Sequence, residues 1–173
     1  MFTRQISISA PIFILIFIIQ ESVISQFRLP GGGFSLLMIF ALTWAVLSEF
    51  EVAAVIGFAA GFLMDLSQSS SGPFGQWTLI MLLAGYAISY IGYGDDNVHA
   101  NAIGIVFFVV VANLLVEIAY VASGALLGVS SGSFGQIVIT LFGMSVWALL
   151  VSPIVLPVFT RLHALIFDSR SAL

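Results

Sequence analysis

The sequence predicts an all-α integral membrane protein, about six transmembrane helices in one compact bundle, and three observations lead there. Of 173 residues, 61% are hydrophobic and only 7% are charged, against roughly 25% charged in an ordinary soluble domain. The mean hydropathy of +1.20 means more apolar surface than one core of this length can hide, so lipid must solvate the rest. The apolar runs are continuous rather than alternating. Backbone groups in hydrocarbon must be satisfied internally, so continuity selects helices over a closed barrel.

The first predicted span covers 8–27, with Ser9 as N-cap and Pro11 in the first turn, where its missing N–H costs nothing. Arg4 precedes this run as in a signal peptide, but residues 22–25 make a poor cleavage site and Glu21 interrupts the run, so it reads as a retained span. Arg28-Leu29-Pro30-Gly31-Gly32-Gly33 breaks the chain. Residues 34–66 would form a helix of roughly 50 Å at 1.5 Å per residue, too long for a hydrocarbon core of roughly 30 Å. The stretch is therefore divided around Ser48-Glu49-Phe50-Glu51 into spans 34–48 and 52–66, although no Gly or Pro marks the turn. A polar loop from Ser67 to Pro73 leads to the fourth span, 74–93. The fifth, 101–127, is long enough to tilt. The sixth, 134–160, carries Pro153 and Pro157, which predict a kink. A short tail, 161–173, follows.

Six spans place both termini on one side. Lys and Arg accumulate on the cytoplasmic face; Arg4, Arg161 and Arg170 accompany the termini and Arg28 lies opposite, so both ends are expected in the cytoplasm. The expected location is a cell membrane, crossed several times. Eight acids face four basic residues, for a net charge of −4. No basic run exists to neutralise phosphates, which excludes nucleic acid as a partner. The absence of cysteine removes disulfides, thiolate metal sites and thiol catalysis. His99 and His163 each lack a second ligand at helical spacing, so neither a metal nor another cofactor is expected, and both read as solvated or interfacial.

Ala53, Gly57, Gly61 and Asp65 recur every fourth residue and form one small-residue stripe. Such a stripe lets a second helix approach closely, because helix association in lipid depends on van der Waals contact. The second helix belongs either to the same chain or to a partner. Asp65 ends its helix, where the macrodipole disfavours negative charge, so something else must hold it. Backbone N–H groups and the hydroxyls of the loop from Ser67 to Ser71 are the expected donors, tying the loop to the start of the fourth span.

The segment Gly57-Phe58-Ala59-Ala60-Gly61-Phe62-Leu63-Met64-Asp65, then a polar loop, Gly72-Pro73-Phe74-Gly75 and an apolar run to Gly85-Tyr86, resembles the MreD family of the bacterial rod-shape machinery. The flanks, Arg28-Leu29-Pro30-Gly31 and Gly75-Gln76-Trp77, are most similar to actinobacterial members. The resemblance spans 28–90. The chain departs from the family at Phe34-Ser35, where many members have Pro-Asp or Pro-Asn. The resemblance implies a protein without catalysis that supports peptidoglycan synthesis in the elongasome, in the cytoplasmic membrane beside MreC, near RodA and its transpeptidase partner. It implies Gly57, Gly61, Asp65, Gly72 and Gly75 as motif residues. It also implies a fold related to the substrate-binding S-components of energy-coupling-factor transporters, which supplies the alternative function of small-solute binding.

Two further readings concern acids. Gly92-Tyr93-Gly94-Asp95 spells a string found in intramembrane aspartyl proteases, but the second aspartate, Asp65, ends its helix on the opposite side of a layer roughly 30 Å thick, so an enzyme is not expected. Glu21 and Glu117 lie within apolar spans, where an acid costs roughly 2.5 kcal/mol or more at the helix centre. Asn113 precedes Glu117 by one helical turn. The acids either pair with Gln20, Asn113 or Ser123 to hold the bundle in register, or Glu117 and Asn113 line a small-solute pocket.

Overall fold

The computed structural model describes residues 2–27, 29–67, 72–92, 102–129 and 132–167, with side chains from Ser9 onward except those of residues 102 and 167. It is helical, with no strand among the described residues. The helices are α1 (Phe2–Ser22), α2 (Leu36–Leu47), α3 (Phe50–Leu66), α4 (Gln76–Gly92), α5 (Ala102–Leu126) and α6 (Phe134–Phe167). Four stretches are long and apolar enough to cross a membrane: Ser9–Gln26, Pro30–Leu47, Ile103–Leu126 and Phe134–Ile166. The helices α3 and α4 have 17 residues each. Phe107, Leu126, Phe134, Phe142 and Ile154 are exposed, as expected where lipid rather than water covers the outer face.

The 12-residue α2 is the centre of the bundle, buried on every side from Leu37 to Val46. A helix that is apolar all round has this position available to it. Phe40 meets the rings of Phe13, Trp44 and Phe159 at centroid distances of 4.8, 4.7 and 4.8 Å, which joins α1 and α6 to α2. Two polar contacts define the start of α2. The Leu36 N–H donates to Gln20 Oε1 at 2.7 Å and the Met38 N–H to the Ser35 hydroxyl at 3.2 Å, so two otherwise orphaned donors of the first turn are satisfied.

The long apolar stretch breaks at Ser48, which is extended, and Glu49, which is also non-helical. Long-range polar contacts hold this turn in place of the absent Gly or Pro. Buried Ser89 donates to the Ser48 carbonyl at 2.5 Å, and the Ser48 hydroxyl lies 3.0 Å from His163 Nε2. The Pro30–Gly32 turn also packs inward. Gly31, Gly32 and Gly33 all have positive φ, and Gly31 lies so close to Gly143 of α6 that a Cβ on Gly143 would strike the Gly31 carbonyl. Trp147 Nε1 donates to the Pro30 carbonyl at 3.0 Å.

Several expectations are corrected. Helix α1 starts upstream of Ser9 and contains Pro11 in its interior, so Ser9 is buried and is not the N-cap. Helix α6 runs through Pro153 and Pro157 to Phe167, so residues 161–167 are helix rather than tail. Leu162 and Ile166 pack onto the core, and the half-buried His163 ring meets Trp44 edge-on at 5.3 Å; that packing carries the helix past the prolines. The small-residue stripe is consumed within the chain. A Cβ on Gly57 would strike the Met81 carbonyl, one on Gly61 the Trp77 carbonyl and Thr78 Cα, and one on Gly85 the Ala53 carbonyl. Backbone meets backbone along the whole α3–α4 interface, which leaves the stripe no surface for a partner.

The candidate site, a carboxylate cap and an acidic cavity

Asp65 is buried at the end of α3, and its carboxylate is held by the first turn of the next helix. Oδ2 accepts from the N–H groups of Gly75 at 3.0 Å and Thr78 at 2.9 Å and from the Thr78 hydroxyl at 2.5 Å; Oδ1 accepts from the Trp77 N–H at 3.1 Å. The positive end of the α4 macrodipole thus offsets the unfavourable end of α3. Gly75 has φ +95° with open space around its Cα, so the glycine is required by backbone conformation, which turns its N–H toward Asp65. The donors are Gly75 and the start of α4, while the Ser67 hydroxyl donates to Glu21 Oε1 at 2.6 Å. Residues 68–71 lie outside the described residues. So do Arg28, residues 94–97, His99, Asp168 and Arg170, together with what was expected of them.

Beside this cap a cavity of about 700 Å³ opens among the C-terminal end of α1, the start of α2, the end of α3, the start of α4 and the facing parts of α5 and α6. Glu21, Gln76, Trp77, Glu117, Tyr120 and Gln136 contribute its polar and aromatic lining. The buried face of α5 explains how Glu117 reaches it. Ile105, Val109, Ala112, Asn113, Val116 and Glu117 are buried while Ile103, Phe107, Val111, Leu115 and Ile118 are exposed, so the acid sits on the inward stripe of a helix with period 3.6. Glu117 is 7% exposed and Asn113 2%. No described residue hydrogen-bonds the Glu117 carboxylate. Asn113 is buried beside it but is not part of the cavity lining.

The pairings expected for the acids therefore fall differently. Gln20 is committed to α2, Glu21 takes the Ser67 hydroxyl, and Ser123 belongs to Gln76. Gln76 Nε2 donates to the Tyr120 carbonyl and to Ser123 Oγ, each at 2.8 Å, while the Ser123 hydroxyl gives its own proton to the Tyr120 carbonyl at 3.0 Å. Since Ser123 can then only accept from Gln76, the amide orientation is fixed. Gln76 Oε1 is left buried and without a hydrogen-bond partner among the described residues. Trp77 and Tyr120 stack at 4.0 Å, nearly parallel. A Cβ on Gly72 would strike Gln76 Oε1 and come within 2.6 Å of Tyr120 Oη, so Gly72 leaves room for both. Sequence reasoning missed Gln76, Tyr120 and Ser89 and gave Gln20 the wrong partner; a polar residue in an apolar span was their only signal, and their partners lie far along the chain. Asp65, with both oxygens engaged, is not free to share a proton with another aspartate.

No family model matches the chain, and neither does any curated protein or solved structure.

Proposed function

We propose that the protein is a non-catalytic membrane component of the bacterial elongation machinery, acting in peptidoglycan synthesis and cell shape through contact with MreC and, beyond it, RodA and its transpeptidase partner. In this reading six helices cross the cytoplasmic membrane with both termini in the cytoplasm. The observation that carries it is the unit built by α3 and α4. Gly57, Gly61, Asp65 and Gly75, which carry the resemblance to MreD, all serve to close one helix pair, and Gly72 makes room for the Gln76 and Tyr120 groups beside it. Residues spent on holding helices together are those of a scaffold, whose working surface is its outside. The test is gentle solubilisation of the tagged chain from its own cells, with identification of co-purifying proteins. Recovery of MreC, with rounded cells on depletion, is the expected result. Normal rods after depletion and no MreC would sink the proposal.

The cavity favours a second reading, a small-solute-binding S-component. Thermal stabilisation across a vitamin panel would support it, since a ligand that binds only the native state must raise stability.

A further inference from the structure

The α1–α6 cavity has a chemical character of its own, which holds under either reading of the function. Its described lining includes two carboxylates, Glu21 and Glu117, and no Lys, Arg or His. One Glu21 oxygen takes the Ser67 hydroxyl; Glu117, on the inward face of α5, has no described hydrogen-bond partner. Gln76 Oε1 is a second unmet acceptor, 7% exposed as a residue and fixed in orientation by the Tyr120 and Ser123 bonds. Buried acceptors without donors, and a buried acid with no counter-charge among the described residues, are costly. Both costs are removed by one kind of ligand, a cation that carries N–H groups.

The remaining lining narrows the class. Phe17, Phe34, Trp77 and Tyr120 provide ring faces and edges, and aromatic rings attract ammonium and guanidinium groups. The volume is far larger than a metal ion needs, since a water molecule occupies roughly 30 Å³, and the apolar lining from Leu37, Met64 and Ile137 favours a hydrocarbon body beside the charge. We infer that this cavity binds an amphiphilic primary ammonium group, with Glu117 as counter-charge and Gln76 Oε1 as hydrogen-bond acceptor. The ammonium belongs either to a free organic amine or to an ethanolamine lipid headgroup.

The experiment uses the full chain in phosphatidylcholine nanodiscs, a lipid whose quaternary headgroup has no N–H. Thermal unfolding is followed with phenethylamine, with its N,N,N-trimethyl derivative, with sodium chloride alone, and with phosphatidylethanolamine added to the disc. Stabilisation by phenethylamine in discs without phosphatidylethanolamine identifies a free amine. Stabilisation by phosphatidylethanolamine alone, with that lipid retained through native mass spectrometry, identifies the headgroup. In either case Glu117→Gln should weaken binding at least tenfold, while Glu51→Gln, an exposed acid at the first turn of α3, should not. The proposal is overturned if neither probe stabilises the protein, if sodium chloride gives the same shift, or if the trimethyl derivative binds as well as phenethylamine. That last comparison is made on the native chain and does not depend on how the variants fold.

Discussion

Asp65 ends α3, where unpaired carbonyls repel negative charge, yet it takes three N–H groups and a hydroxyl from Gly75 and the first residues of α4. Hydrogen bonds to a charged group contribute about 1.5–3 kcal/mol each and are not additive. Removing the carboxylate also leaves buried donors unmet. Asp65→Ala is therefore expected to lower stability by roughly 2–4 kcal/mol. Asp65→Asn keeps one acceptor oxygen for one side of the cap but puts an NH2 against the other donors, so its loss should be smaller. Denaturant or thermal unfolding of the purified variants checks the order; equal losses would mean that the acceptor geometry is not what the site uses.

The α3–α4 pair shows at the scale of elements why glycine is used in a helix at all. Gly61→Ala gains about 1 kcal/mol of helix propensity, but its methyl would lie 2.5 Å from the Trp77 carbonyl oxygen and 2.7 Å from Thr78 Cα. Neither atom is the movable end of a side chain, so the helices must separate, and overpacking of this kind costs typically 1–3 kcal/mol. The collision outweighs the propensity. Gly61→Ala should destabilise the folded protein, whereas Gly135→Ala, in α6 with nothing near its Cα, should be neutral or stabilising. Equal melting temperatures for the two variants would refute the close packing. The turn at Ser48 follows the same logic of distant contacts, since Ser89 lies 41 residues and His163 115 residues along the chain.

Across the whole molecule, the contacts of Ser48 with Ser89 and His163 mark one end, and the cavity lining of Glu21, Gln76 and Gln136 marks the other. The C-terminal end of α1 and the N-terminal end of α6 lie at the cavity end, so the start of α1 and the end of α6 share the Ser48 end. If that end faces the cytoplasm, as the arginines suggest, the cavity faces outward. The absence of native cysteine makes this testable with single substitutions at Glu49 and Ser133. An impermeant thiol reagent applied to intact cells should label Ser133→Cys and spare Glu49→Cys; the reverse pattern would invert the proposed topology.

The sequence by itself determined the helical class and the presence of several helices apolar enough to cross a membrane, because those depend on total apolarity and on breakers such as Pro30 to Gly33, but not where α1 starts or α6 ends. The importance of Gly57, Gly61 and Asp65 was also legible, since glycines and an acid at four-residue spacing in an apolar run have few uses. Which helix covered the stripe was not legible. Nor was the commitment of Gln20 to α2, of Glu21 to Ser67 and of Gln76 to α5, or the packing of His163 against Trp44. In a soluble protein, polarity separates the outward face of a helix from the inward one. In lipid both faces are apolar, Phe107 and Val109 alike, and their orientation is fixed by packing and by hydrogen bonds between residues distant in sequence. Only the tertiary structure brings Glu117 and Gln76 to one cavity, because no local rule relates positions on different helices.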